Sequence, residues 1–240
     1  ASDVYKRQEL GVACEILPSL PCTFDNMSAT LLGDTLYVLG GYRNGIPSCS
    51  MFSFCLSNYS GGWTEVFFPG KPRVQPVCAS LFGNLYIWGG FIPGKESSVL
   101  TDGLCYQPAS GQWQVLRAPL TTEGQPLTLT GGASVSYGDT LVICAGGVNR
   151  DIFEDAISGR YKKVCESEYL LQPVEWYHFN DQLLAYDVRL GEWIRIGTPS
   201  PMLARAGASL VLFGEALFYI GGELKPGVRT SDICRISFQE

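Results

Sequence analysis

The sequence Leu217-Phe218-Tyr219-Ile220-Gly221-Gly222 is an apolar run that ends in two glycines. The same pattern occurs three more times, at residues 36–41, 85–90 and 141–147. Because glycine has no Cβ, a glycine pair at the end of a strand lets two backbones approach closely and adopt positive φ. Four copies therefore predict a repeated β-structure, whereas a single copy would carry little weight.

Each Gly-Gly lies within a longer unit of roughly 50 residues. A unit has a first strand, a glycine turn, the strand that ends in Gly-Gly, a variable loop, a third strand and a fourth strand that carries tryptophan. The predicted strands are 28–32, 35–41, 50–56 and 63–67; 78–82, 85–90, 103–107 and 113–116; 132–137, 140–147, 182–187 and 193–196; and 206–213, 216–222 and 231–238. This unit resembles the kelch motif, whose repeats are four-stranded blades of a β-propeller. We expect the tryptophans to pack between neighbouring blades.

The composition also indicates an all-β protein. Of 240 residues, 46% are hydrophobic and 17% are charged, which is the balance of a globular domain. The 28 glycines, 14 prolines and many aromatic residues favour short strands joined by turns. We expect one kelch-type propeller domain over residues 9–240 with about four blades. Residues 1–8 fit no periodicity, and we expect them to be a non-native remnant.

The chain is expected to begin within a repeat. Residues 10–21 predict one strand followed by a corner at Pro18 and Pro21, as in the last strand of a unit whose earlier strands are absent. Two arrangements remain open. Either residues 15–17 supply the missing fourth strand of the last unit, so that four blades close a ring, or the first and last units are the edges of a larger ring.

The third repeat contains an insertion at about residues 150–181. Its residues 153–157, and the apolar spacing of residues 161–171 ahead of Pro173, predict one or two short helices. Loops longer than about 12 to 15 residues in a compact domain are usually functional or disordered. Because this insertion is rich in aromatic residues, we expect it to form a lid or a pocket wall.

The charge pattern excludes several classes of partner. Seventeen Lys and Arg against 23 Asp and Glu give a formal net charge of −6, and no basic run is present, so we expect no nucleic-acid partner. No apolar run approaches the ~18 residues of a membrane span, and no signal-peptide pattern is found. We therefore expect a small or neutral partner and no membrane association.

The metal-binding and nucleophilic residue types form no recognised motif. The nine cysteines include no Cys-x-x-Cys pair, and we expect reduced, buried thiols rather than a disulfide framework. His178 is the only histidine, so neither a Ser-His-Asp arrangement nor a histidine metal site has enough partners. We expect no metal and no cofactor, and a packed or surface role for His178.

Candidate functional residues lie in two groups that blade topology is expected to bring to one end of the propeller. Asn149 and Glu223 follow Gly-Gly pairs, and Arg73, Gln75 and Arg205 precede first strands. The arginine fork binds carboxylates at two points, which suits an acidic substrate. A glutamate beside a cation can act as a general acid or base. For each arginine, the alternative is a structural salt bridge between blades.

The segment at residues 221–229, Gly-Gly-Glu-Leu-Lys-Pro-Gly-Val-Arg, resembles the Gly-Glu-x-Lys-Pro-Gly-x-Arg signature of the bacterial N-acetylneuraminate (sialic acid) mutarotases, a kelch-propeller family. Residues 146–153, with the insertion after them, are similar to the third-motif segment of that family. Residues 17–27 and 72–75 resemble its cyclically permuted branch. The resemblance extends from about Gly11 to the end, and it implies a six-bladed ring of which this sequence holds about four blades.

The resemblance implies an isomerase that interconverts the α and β anomers of sialic acid by acid–base ring opening and closing. It implies that Glu223 relays protons and that Arg229 holds the substrate carboxylate. The further candidates for substrate binding are Arg73, Gln75, Asn149, Arg205 and Lys225. A sugar acid as partner and a periplasmic or secreted location are also implied. The alternative function is a non-catalytic kelch module that binds protein or glycan.

Overall fold

The structure is a computed structural model that describes residues 14–238. The expected remnant at residues 1–8 and the beginning of the first expected strand lie outside this range. Within this range the chain forms three four-stranded antiparallel sheets, one three-stranded sheet with five-residue strands, one small three-stranded sheet with two-residue strands, and two two-stranded ribbons. We number the four main sheets as blades 1 to 4 in chain order. In the described range, no helix is long and apolar enough to cross a membrane.

The strands follow the predicted repeat closely. The first blade and its ribbon contain β1 (Phe24–Asp25), β2 (Ser28–Leu32), β3 (Thr35–Leu39), β4 (Tyr42–Arg43), β5 (Ile46–Pro47), β6 (Met51–Cys55), a 3-10 turn (Tyr59–Gly61) and β7 (Thr64–Val66). The second contains β8 (Val77–Leu81), β9 (Asn84–Trp88), β10 (Phe91–Ile92), β11 (Ser98–Val99), β12 (Gly103–Gln107) and β13 (Gln112–Leu116).

The third blade carries the insertion, and the fourth carries the signature segment. Blade 3 and its insertion contain β14 (Ala133–Tyr137), β15 (Leu141–Ala145), α1 (Arg150–Ile157), α2 (Glu166–Tyr169), a 3-10 turn (Val174–Tyr177), β16 (Leu183–Asp187) and β17 (Glu192–Ile196). Blade 4 and its ribbon contain a 3-10 turn (Pro201–Leu203), β18 (Ser209–Phe213), β19 (Ala216–Ile220), β20 (Glu223–Lys225), β21 (Val228–Arg229) and β22 (Ile233–Ser237). The prediction of short helices in the insertion is confirmed.

The first strands of the four blades lie side by side around an axis. Strand β2 contacts β8, β8 contacts β14, and β14 contacts β18. Together they line a cavity of about 490 Å³. Serine hydroxyls join neighbouring first strands, since Ser80 donates to the Leu31 carbonyl and Ser136 donates to the Ser80 carbonyl, both at 2.6 Å. This radial arrangement of sheets confirms the prediction of a kelch-type propeller.

The first glycine of each of the first three Gly-Gly pairs packs against the next blade. A Cβ at Gly146 would overlap the Arg205 carbonyl oxygen and the Tyr219 hydroxyl of blade 4. A Cβ at Gly89 would lie only 2.8 Å from the backbone nitrogen of Thr130, which leads into blade 3. The second glycine of each pair faces the chain that enters its own blade. The glycine pairs therefore permit the close contact between blades that the sequence predicts.

Tryptophans of the outer strands pack against the preceding blade. The indole nitrogen of Trp113 donates to the Phe67 carbonyl at 3.0 Å, and that of Trp193 donates to the Arg117 carbonyl at 2.9 Å. The Trp193 ring also lies 4.9 Å from the Trp88 ring in an edge-to-face contact. The predicted packing of these tryptophans between blades is confirmed.

The segment at residues 14–20 lies against the outer side of blade 1. Trp63 donates its indole hydrogen to the Pro18 carbonyl at 2.9 Å, and the Tyr59 hydroxyl contacts the Glu15 carboxylate at 3.2 Å. No strand forms over residues 14–20, and β22 pairs only with β19 in the described range. The expected strand is therefore wrong for these residues. Closure of four blades through residues 15–17 is also wrong, because Tyr59 and Trp63 hold this segment beside blade 1.

The cysteines are free thiols throughout residues 14–238. Cys105 and Cys144 are buried within strands of the core. Burial raises the pKa of the Cys105 thiol to about 11, which keeps it protonated and unreactive at neutral pH. The prediction of reduced thiols that pack as small apolar groups is confirmed for these two residues.

A pair of glycine substitutions tests the contact between blades. Gly146 and Gly221 have similar φ values of 68° and 63°, but a Cβ at Gly221 would meet nothing closer than the Thr230 carbonyl at 3.6 Å. Both alanine substitutions impose left-handed backbone strain of about 1–3 kcal/mol. We expect Gly146→Ala to lose ~1–3 kcal/mol more, because it alone adds steric overlap with blade 4. Urea unfolding followed by tryptophan fluorescence measures both, and equal losses would contradict the contact.

Candidate active site

The signature segment forms a hairpin at the place of the variable loop in the repeat, where blades 1 and 2 also have short paired strands. Strands β20 and β21 pair antiparallel, with Glu223 directly opposite Arg229 and a bulge between Glu223 and Lys225. Pro226 and Gly227 make the turn, and Gly227 has the positive φ of 77° that the third residue of a type II turn needs. The Pro-Gly dipeptide is the sequence signal that predicts this hairpin.

The hairpin is attached to the chain that enters blade 4. Glu223 and Ala206 exchange two backbone hydrogen bonds, of 2.7 and 2.9 Å. The Thr230 amide donates to the Gly222 carbonyl at 3.0 Å, which fixes the other end of the hairpin. Because Ala206 lies just before the first strand of its blade, this pairing places Glu223 close to the propeller axis.

A chain of backbone hydrogen bonds passes around that end of the axis. The backbone N–H of Gln75 donates to the Asn26 carbonyl at 3.0 Å, and that of Gly131 donates to the Gln75 carbonyl at 3.0 Å. The backbone N–H of Gly207 in turn donates to the Gly131 carbonyl at 2.7 Å. All four residues have positive φ, between 51° and 70°. Gly207 is adjacent to Ala206, the pairing partner of Glu223. The structure therefore places Gln75 and Glu223 at the same end of the propeller.

Glu223 and Arg229 form an ion pair that is open to solvent. The Arg229 Nε lies 3.3 Å from Glu223 Oε1, and the two side chains are 82% and 31% exposed, respectively. Within residues 14–238, the two terminal nitrogens of this guanidinium have no hydrogen-bond partner. They are therefore available to bind an anionic group at two points. An exposed ion pair contributes only about 0–1 kcal/mol to stability, so folding does not depend on this one.

Arg73 is buried between blades 1 and 2, where it binds the protein itself. Its side chain is fully buried, and its terminal nitrogens donate to the Gly89 carbonyl at 3.0 Å and to the Asp102 carboxylate at 2.9 Å. The guanidinium lies 5.4 Å from the centre of the Phe68 ring. The Arg73 carbonyl accepts a hydrogen bond from Gly41 of the preceding blade at 2.8 Å.

Arg205 repeats this arrangement between blades 3 and 4. It donates to the carbonyls of Gly221 and Asp232 at 3.0 and 3.1 Å, and it lies 5.5 Å from the ring centre of Tyr219. Burial raises the pKa of the Tyr219 hydroxyl, so this phenol stays neutral beside the arginine. The substrate-binding role expected for Arg73 and Arg205 is therefore corrected. Backbone carbonyls and an aromatic ring surround each guanidinium, while the backbone carbonyl of each arginine accepts a hydrogen bond from the second glycine of the preceding blade.

Asn149 caps a helix of the insertion and lines a cavity that does not include the ion pair. Its side-chain oxygen accepts a hydrogen bond from the Ile152 amide at 3.1 Å and so caps the N-terminus of α1. It lines a polar cavity of about 490 Å³ together with His178, but Glu223 and Arg229 do not line that cavity. The structure does not bring Asn149 together with the ion pair.

The two remaining candidates both contact protein groups. The side-chain Nε2 of Gln75 donates to the side-chain Oδ1 of Asn26 at 3.0 Å, at the exposed end of the propeller axis. The Lys225 ammonium donates to the carbonyls of Leu170 and Gln172, in the insertion, at 3.0 and 2.6 Å. Sequence reasoning missed this contact, because no local pattern links β20 to a segment more than 50 residues earlier. In the described part of the chain, no three His, Cys, Asp or Glu side chains gather as metal ligands.

Comparison with known proteins adds independent findings. A family model described as N-acetylneuraminate epimerase matches residues 17–240. A relative named N-acetylneuraminate epimerase from Haemophilus influenzae (strain 86-028NP) is 32% identical over 226 residues, which are 90% of this chain and 57% of the relative. One of the same name from Yersinia enterocolitica serotype O:8 / biotype 1B is 31% identical over 234 residues, which are 91% and 57%. The chain thus spans 57% of the length of these curated relatives.

A solved structure gives the same result at the level of the fold. The protein described as "Structure of YjhT" superimposes with a TM-score of 0.77 at 28% sequence identity. The match covers 92% of this chain and 65% of that protein. The similarity therefore extends over all four blades described above.

Substitution of Arg73 tests its structural role. We expect Arg73→Ala to lower the free energy of unfolding by about 3–5 kcal/mol, because it leaves buried carbonyl groups without their charged partner. Arg43→Ala is the control, since the Arg43–Glu65 pair is partly exposed and its loss should cost less than about 1 kcal/mol. Denaturant unfolding measures both. Similar, small losses in the two variants would contradict the structural role.

Proposed function

This chain belongs to the N-acetylneuraminate epimerase family, and we propose that the protein interconverts the α and β anomers of N-acetylneuraminate. The observation that carries the proposal is the Glu223–Arg229 pair, a half-buried carboxylate beside a guanidinium whose terminal nitrogens have no hydrogen-bond partner within residues 14–238. Because the pair is not needed for folding, its placement next to the axis favours a functional role. The names of the relatives supply the substrate class.

The chemistry of the substrate explains why these two residue types belong together. In sialic acid, the carboxylate is attached to the anomeric carbon itself. Two-point binding of that carboxylate by Arg229 brings the anomeric hydroxyl close to the adjacent Glu223. Anomer exchange removes a proton from that hydroxyl and delivers one to the ring oxygen, while the bond between the ring oxygen and the anomeric carbon breaks.

Reversal of these steps completes the reaction. The open form is a ketone, and attack of the chain hydroxyl on either face of its carbonyl gives either anomer. As the ring opens, Glu223 takes the proton from the anomeric hydroxyl and delivers it to the ring oxygen, and ring closure moves the proton back by the same route. The carboxylate is therefore regenerated in each half-reaction. A single carboxylate that shuttles a proton, and a single guanidinium that holds the carboxylate, provide the groups that the reaction needs.

The first test removes the proton relay. Glu223→Gln keeps the shape of the side chain but removes its basicity, so we expect kcat to fall by about 10²- to 10⁴-fold. NMR spectroscopy of freshly dissolved N-acetylneuraminate measures the rate at which the anomers equilibrate. Equal rates with wild type, Glu223→Gln and no protein would contradict the proposal and favour the non-catalytic kelch binding module.

The second test changes the group that holds the carboxylate. Arg229→Lys keeps the charge but loses the two-point fork, so we expect KM to rise by roughly 10- to 100-fold, with a smaller change in kcat. The same NMR assay over a range of substrate concentrations separates the two constants. We expect no change in unfolding free energy beyond about 0.5 kcal/mol, because Arg229 is exposed. A KM equal to that of wild type would refute carboxylate binding by this residue.

A further inference from the structure

The insertion of blade 3 contacts both blades that flank blade 3, at the end of the propeller that carries the ion pair. On one side, α1 packs on the β10–β11 ribbon of blade 2, where the Phe153 ring meets the Phe91 ring at 5.1 Å. The Val99 amide of that ribbon also donates to the Glu154 carboxylate at 3.2 Å. On the other side, the insertion meets β20 of blade 4 through Lys225.

The part of the insertion that meets Lys225 has its own aromatic core. Tyr177 is almost completely buried, and edge-to-face contacts join it to Tyr169 at 5.5 Å, to Trp176 at 5.2 Å and to Phe179 at 6.0 Å. The Tyr177 hydroxyl donates to the Tyr169 carbonyl. The adjacent residue, Leu170, presents its carbonyl to Lys225. The acceptors of Lys225 are therefore held by a packed element.

The hairpin by contrast has few contacts of its own. Its strands have three and two residues, and an isolated two-stranded ribbon of this size is marginally stable in water. Backbone pairing at Ala206 and Gly222 holds the base of the hairpin. Lys225 lies beyond that base, next to the Pro226-Gly227 turn, and two hydrogen bonds from its ammonium supply the described contacts of this side chain.

We propose that Lys225 is a positioning residue that ties the hairpin to the insertion and so fixes the geometry of the Glu223–Arg229 pair. This inference rests on the proposed function and replaces the substrate-binding role expected for Lys225 from sequence. Its ammonium donates to two backbone carbonyls just after α2, those of Leu170 and Gln172. The insertion then serves as a brace for the site.

The experiment compares Lys225→Met, Lys225→Arg and the control Lys95→Met in the whole protein. Met matches the length of the lysine stem and removes the charge, whereas Arg keeps donors for the two carbonyls. Lys95 lies exposed in the turn of the β10–β11 ribbon of blade 2, and within residues 14–238 its side chain forms no hydrogen bond or ion pair with the insertion. We expect Lys225→Met to lower kcat about 10-fold with little change in KM, Lys225→Arg to restore most of it, and Lys95→Met to match wild type.

A second readout does not depend on activity. Arg160, Lys162 and Lys163 are trypsin sites within the insertion. We expect Lys225→Met, but not Lys95→Met, to speed cleavage there about 5- to 10-fold, because the insertion loses its attachment to blade 4. In a Glu223→Gln background, Lys225→Met should lower kcat no further, since a positioning residue acts through the group that it positions.

The outcomes separate this inference from the proposed function. A rise in KM alone for Lys225→Met shows direct substrate binding and overturns the positioning role. Unchanged kcat also overturns it, whether or not cleavage becomes faster. If wild-type protein does not accelerate anomer exchange, the proposed function fails, and the positioning role fails with it. Faster cleavage in Lys225→Met would then still establish the attachment itself.

Discussion

The close approach of neighbouring blades at the glycine pairs is the constraint on which the rest of the structure depends. At Gly146, a methyl group would occupy the space of the Arg205 carbonyl, and at Gly147 the amide donates to that same carbonyl at 2.8 Å. One backbone thus lies directly against another, which only residues without a Cβ permit. Because each contact joins the end of one blade to the entry of the next, the contacts bring two kinds of loop to one end of the axis.

In the last blade, the loop that follows the glycine pair carries the candidate catalytic residue. The residue after Gly221-Gly222 is Glu223, and its backbone pairs with the entry loop at Ala206. The position of the carboxylate near the axis therefore follows from the same geometry that joins the blades elsewhere. Blades 1 and 2 also have a short hairpin at this place, and what differs in blade 4 is its sequence, in which a bulge and a Pro-Gly turn bring Arg229 opposite Glu223.

Charged residues at equivalent places in the repeat have different roles. Arg73 and Arg205 each donate to the carbonyl of the first glycine in the Gly-Gly pair of their own blade and lie beside an aromatic ring, so the fold holds both guanidinium groups in place. Blade 3 has no such arginine, and there Asn180 donates to the Gly146 carbonyl. Between blades 2 and 3, the Thr130 side chain bonds the Gly90 backbone. The contact between blades requires donors for these carbonyls, and arginine is one of several ways to supply them.

The sequence by itself determined the strands, the repeat, the glycine contacts and the Glu223–Arg229 segment. Apolar runs, glycine turns and Gly-Gly pairs are local signals, and for this reason the strands predicted within the four repeats agree with the observed ones within a few residues. Only the tertiary structure decided that Arg73 and Arg205 are buried, that residues 14–20 lie beside blade 1, and that Lys225 reaches the insertion. Burial and long-range hydrogen bonds depend on which segments meet in space. Because the sequence pattern is similar in every blade, it does not specify which charged residues face solvent.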